Sequence, residues 1–205
     1  MKDFTREIDL YFEQVSHVLL NLDRNVINKL VAELLAVHER NGCIYVFGNG
    51  GSAATATHFY NDLLKGVSYG LEKRFRVLCL NDNVSAITCI ANDLSYEDIF
   101  VEQLKNFIQS GDLVFGISCS GNSPNVVKAM KYSRSLGVRT AGLSAFMGGQ
   151  LSILSDVFVL APVDSFEISE DVHMIIVHIL KTLLMRSLKT KYTGVVYPSK
   201  GTLAE

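Results

Sequence analysis

Residues 112–129 read DLVFGISCSGNSPNVVKA, and their order decides the fold class. DLVFGIS (112–118) is an apolar run of strand length. A loop follows in which Ser118, Ser120 and Ser123 crowd around Gly121 and Asn122. Ser123 then stands as an N-cap and Pro124 as the first residue of a helix over 124–136, which Gly137 ends. A strand that passes into a helix through such a loop offers hydroxyls, first-turn amides and the positive end of the helix dipole to an anion. The loop holds no Lys or Arg, so one phosphate monoester suits it better than a nucleotide triphosphate with its metal. A capped helix behind a polar loop is the plainer reading of the same residues.

Outward from this stretch, short apolar runs alternate with helical patterns. CIYVFG (43–48), RVLCL (76–80), VRTAGLS (138–144) and VFVLAP (157–162) read as further strands. Helices are expected over 52–66, 83–91, 96–109, 148–155 and 167–189. Continuous apolar strands alternating with helices indicate an α/β fold with a parallel sheet covered on both faces. Ligands in such sheets sit beyond the carboxyl ends of the strands, where both Gly/Ser-rich loops, 48–52 and 116–123, fall.

Ahead of the first strand, 4–21 and 24–40 carry apolar residues at helical spacing, among them Ile8, Tyr11, Phe12, Val15, Val18, Leu19, Val26, Leu30, Leu34 and Val37. These helices are apolar on more than one side and need cover beyond their own domain, which a homo-oligomer supplies. The expected division is 1–41 as a helical oligomerisation segment, 42–188 as the α/β domain, and 189–205 as a C-terminal extension, polar beyond Tyr197. The chain has 205 residues, a net charge of −2 and no basic tract, so direct nucleic-acid binding is not expected. No stretch approaches a membrane span, and the N-terminus lacks a signal-like apolar region. Cys43, Cys79, Cys89 and Cys119 show no CxxC spacing and read as reduced thiols of a cytoplasmic protein.

The first loop and its helix read GNGGSAATATHF (48–59). Successive glycines let amides point inward as a nest. The same residues satisfy a loose dinucleotide fingerprint through Gly48, Gly50 and Ala53. The acid that should follow is Asp82, too far along, and the serine loop has no part in that scheme. The GK[ST] ending of a triphosphate-binding loop is missing.

Chemistry-bearing side chains gather on two helices. His58 and Asp62 are four apart and share a face; Glu170 and His178 are eight apart on the last helix, with His173 between them. Two imidazoles and two carboxylates in one pocket can shuttle protons or hold zinc. Asp62 and Glu170 read equally well as a solvated helix face, and His173 as a hydrogen-bonded core residue.

Taken together, GNGGSAATATHF, AND (91–93), DLVFGISCSGNSPNVVKA and EDVHMIIVHIL (170–180) resemble the sugar isomerase (SIS) domain family and its phosphoheptose isomerase branch, over about residues 5–188. The resemblance implies a flavodoxin-like three-layer sandwich with a five-stranded parallel sheet, and a homotetramer with active sites at subunit interfaces. It implies conversion of sedoheptulose 7-phosphate to D-glycero-D-manno-heptose 7-phosphate through a cis-enediol, leaving open which glycan the sugar feeds. It places the phosphate on Ser118, Cys119, Ser120 and Ser123, and the sugar near Asn49, Gly50, Gly51, Ser52, Asp93 and Glu170. Asp62 stands where the family has a glutamate base, and His178 where it has its acid. His58, Asp62, Glu170 and His178 occupy the positions that hold zinc in some members. Cys119 replaces a threonine and Glu170 a glutamine. A relative, the DnaA initiator-associating protein, keeps the fold and binds a partner instead of catalysing. It lacks the carboxylate and histidine that this chain retains, so isomerase stands ahead of binding module, and both ahead of a dinucleotide enzyme.

Overall fold

The structure, a computed structural model, describes residues 2–189. The expected extension beyond Lys189 lies outside them. Five strands, β1 (Cys43–Gly48), β2 (Arg76–Cys79), β3 (Leu113–Ser118), β4 (Arg139–Ser144) and β5 (Val157–Leu160), pair in parallel in the order β2-β1-β3-β4-β5. The helices are α1 (Thr5–Asn21), α2 (Arg24–Glu39), α3 (Gly51–Asn61), α4 (Val84–Asp93), α5 (Val101–Phe107), α6 (Pro124–Ser135), α7 (Gly149–Leu154) and α8 (Phe166–Ser187). Among the described residues no helix is long and apolar enough to cross a membrane.

Strand alternation builds the two cores. Ile44 and Val46 of β1, with Leu113, Phe115 and Ile117 of β3, pack against α2, α3 and α8. Tyr45 and Phe47, with Val114, face α5, α6 and α7. This is the expected three-layer sandwich. α2 belongs to it fully, with Leu30, Leu34 and Val37 at 0 % exposure. α1 packs on the body through Tyr11, Val15, Val18 and Leu19 but leaves Ile8, Leu10, Phe12 and Leu20 exposed, as is Phe4 just before it.

The chain leaves β1 toward β2 on one side and leaves β3 toward β4 on the other. Connections diverge between β1 and β3, so a crevice opens at the carboxyl ends of those strands. Asn81 secures the edge there: its amide accepts from Gly48 N–H at 3.2 Å and donates to Gly48 C=O at 2.9 Å.

Two expected helices differ in detail. The helix expected over 52–66 leaves α-geometry after Asn61 and continues as a π-turn, Asp62–Val67. The stretch 96–109 divides into a 3₁₀ turn, Tyr96–Asp98, and α5, because Ile99 and Phe100 turn inward to full burial between them.

His173 of α8 is a core residue as expected, at 0 % exposure; neither ring nitrogen makes a well-formed hydrogen bond, and the Ser144 backbone is the polar group that acts on the ring. Burial lowers its pKa from 6.5 to about 4, which the Ser144 backbone only partly offsets. A lowered folded-state value means that the unfolded chain takes up a proton, as pH falls through 6.5, which the folded chain refuses. Stability is therefore greatest above pH 6.5 and is lost toward pH 4, by about 3 kcal/mol for this group. Thermal unfolding of His173→Leu should show a flatter dependence than the parent over that range.

Candidate active site

At the divergence of β1 and β3 lies a cleft of about 220 Å³, lined by Asn49, Gly50, Gly51, Ser52, Ser118, Cys119, Ser120, Ser123, Phe166 and Glu170. Every residue assigned from the sequence to substrate is there except Asp93. That residue is exposed at the end of α4, where it accepts from Asn92 and the Cys89 thiol. In the protomer it stands outside the cleft, on a helix none of whose residues is fully buried.

The serine loop is built differently from the capped helix read in its sequence. Ser123 holds the N-cap position of α6, yet its hydroxyl does not cap; it lies 3.1 Å from the Ser118 hydroxyl. Asn125 takes over that end of the helix, its side-chain oxygen accepting from Val126 N–H at 2.9 Å. Both serine hydroxyls are thereby turned to the cleft, and one first-turn amide is withdrawn from it. The Asn125 and Asn49 side chains exchange two hydrogen bonds, at 2.8 and 3.0 Å. Tyr96 OH adds a third to Asn49 Oδ1 at 3.1 Å. This pairing ties the two loops together. It also commits the Asn49 amide, so Asn49 shapes the cleft more than it reaches into it.

Glu170 packs its carboxylate against Gly51, in the space that any Cβ at 51 would need. Only glycine allows this approach. Cys119 lies 3.8 Å from the Ser52 hydroxyl. Burial raises its thiol pKa, so it stays uncharged beside an anion.

α3 and α8 run side by side in the same direction, and farther along them a second group of side chains meets. His58 Nε2 and His178 Nε2 are 2.8 Å apart. One nitrogen must donate and the other accept, so the pair is a proton-passing contact. Asp62 Oδ2 approaches His58 Nε2 at 3.5 Å, and Asp62 Oδ1 pairs with Lys181 Nζ at 2.7 Å. Asp62 is 7 % exposed, and its Oδ2 has no hydrogen-bond partner. Burial, then the neighbouring His58, lowers the His178 pKa, which keeps that imidazole neutral near pH 7.

One atom from each of His58, Asp62 and His178 lies within 4.8 Å of the others. Two imidazoles, one carboxylate and an open side suit zinc by donor type, and the orphaned Asp62 oxygen is the kind of group an ion satisfies. Glu170 does not complete the expected set of four: eight residues of α8 separate it from His178, about 12 Å along the axis. Lys181, Asn125 and Phe166 escaped the sequence reading. The signal for Lys181 was its place three residues after His178, on the same helix face.

The SIS domain profile matches residues 10–145. The chain is 38% identical over 159 residues to the phosphoheptose isomerase of Helicobacter pylori strain Shi470, covering 77% of this chain and 82% of that protein. It is 33% identical over 174 residues to the probable phosphoheptose isomerase of Thermoplasma volcanium, covering 85% and 88%. The phosphoheptose isomerase structure from Neisseria gonorrhoeae superposes with a TM-score of 0.82 at 24% identity, over 90% of this chain and 100% of that one.

Proposed function

The chain belongs to the SIS domain family, among its phosphoheptose isomerases, and from that premise we propose that it interconverts sedoheptulose 7-phosphate and D-glycero-D-manno-heptose 7-phosphate. The observation that carries this reading is a serine-lined cleft without lysine or arginine, together with an imidazole–carboxylate cluster farther along α3, its π-turn and α8.

The Ser118, Ser120 and Ser123 hydroxyls and the loop amides hold the phosphate. Binding energy at this remote end orients the open-chain sugar at the other. Asp62 takes a proton from carbon 1 of the ketose, leaving a cis-enediolate that becomes the cis-enediol when the oxygen on carbon 2 gains a proton. His178, neutral at working pH, relays the hydroxyl proton between the oxygens of carbons 1 and 2. Asp62 returns a proton to carbon 2, giving the aldose. Zinc, when bound, would be held by His58, Asp62 and His178 and would supply charge stabilisation at a sugar oxygen.

Within one protomer the cluster does not line the serine cleft. We propose that a second copy closes the gap, with the cleft of one subunit meeting the cluster of its neighbour in a homotetramer. The exposed apolar residues of α1 and a hollow of about 790 Å³ between α1 and residues 162–168 support that assembly. The free thiols of Cys43, Cys79, Cys89 and Cys119 accord with a reducing, cytoplasmic setting.

Conversion of sedoheptulose 7-phosphate in a coupled assay tests the activity. Mixed subunits test the shared site. Ser118→Ala/Ser120→Ala and Asp62→Asn proteins, each strongly impaired alone, should on mixing regain about a quarter of parental activity when unfolded and reassembled at equal ratio, because such an interface joins different patches of two copies. No recovery would place each site within one chain.

A further inference from the structure

The strongest ionic contact in the cluster belongs to a residue with no assigned part in the chemistry. Lys181 Nζ lies 2.7 Å from Asp62 Oδ1, closer than either imidazole comes to that carboxylate, and its side chain is only 26% exposed. The contact is built in. Its aliphatic stem crosses Gly66, where an added Cβ would come within 3.0 Å of Lys181 Cε. Gly66 lies in the π-turn that begins at Asp62, so the departure from α-geometry both sets the carboxylate and opens a channel for the lysine. With Oδ1 occupied, the orphaned Oδ2 is the oxygen left facing His58.

We infer that Lys181 is a positioning residue that clamps Asp62 by one oxygen and supplies the fixed positive charge of the site, in competition with a divalent ion for the same carboxylate. A carboxylate has one negative charge to share between its two oxygens. An ammonium group seated on one of them weakens the hold of the other on a metal. The site is then arranged to keep Asp62 oriented with no ion bound, and to bind zinc weakly.

The test uses the full chain, freed of metal with a chelator, and zinc chloride as the probe in isothermal titration. Lys181→Met keeps the stem and removes the charge. It should bind zinc at least tenfold more tightly than the parent, whereas Lys181→Arg should stay within threefold of it. Equal affinities, weaker binding by the Met variant, or no detectable binding by either would overturn the inference. Lys181→Gln provides the same comparison should the Met variant fold poorly, as judged by circular dichroism. The zinc measurement is independent of turnover. The rate measurement rests on the isomerase reading: Lys181→Met should lower kcat at least tenfold with KM within twofold, and Arg should restore most of it. If the parent turns over no heptose phosphate, the isomerase reading fails, and the zinc comparison still decides the role of Lys181.

Discussion

Asp62→Asn should lower kcat for heptose 7-phosphate isomerisation by about 10³-fold, the scale of a lost general base, while KM moves by only a few-fold. The substitution preserves shape and burial and removes the lone pair that accepts the carbon-bound proton. Asp62 does not line the serine cleft of its own protomer, so phosphate binding should survive. His178→Ala should also be severe, because it removes the proposed relay between the two sugar oxygens and the 2.8 Å contact that holds His58 beside Asp62. The two substitutions together should cost little more than the worse of them, as expected for groups that act as a unit. A loss expressed mainly in KM would mean that Asp62 binds sugar and takes no proton.

The second large effect lies in the substrate. Sedoheptulose without its phosphate should lose about 10⁴-fold or more in kcat/KM. Three or four hydrogen bonds to a charged phosphate, at about 1.5–3 kcal/mol each, sum to about 4.5–12 kcal/mol, and each 1.4 kcal/mol is about tenfold, so a 10⁴-fold loss falls in the lower half of that range. The loss should appear in kcat as well as KM, because the remote phosphate orients the reacting carbons. Ser118→Ala/Ser120→Ala should lose less on the phosphorylated sugar, since loop amides remain, and nothing further on the phosphate-free one. Equal turnover of both sugars would show that the serine cleft is not the anchor.

Most of the fold was legible because its signals are local. DLVFGIS followed by SPNVVKA announces a strand entering a helix, and repetition of that unit forces a parallel sheet. The cleft was legible for the same reason, since nine of its ten lining residues come from two loops and one helix turn already singled out. What escaped depends on contacts between distant segments. Ser123 turned from capping to pair with Ser118 because Asn125 could cap instead, a competition that spacing alone does not decide. Lys181 carries no local signature of its contact with Asp62, which depends on the π-turn that starts at that carboxylate. Asp93 carried the motif expected of a sugar contact, yet in the protomer it faces outward on α4. Glu170 and His178 share a helix face, but eight residues of rise take them to different ends of the site.

Proton transfer by Asp62 through an enediol open to solvent exchange is tested by an NMR measurement of sedoheptulose 7-phosphate incubated with the protein in deuterium oxide. Deuterium is expected at carbon 2 of the heptose product with the parent protein, with exchange slowed by about 10³-fold in Asp62→Asn. Product formed without solvent deuterium, or exchange undiminished in Asp62→Asn, would contradict that transfer.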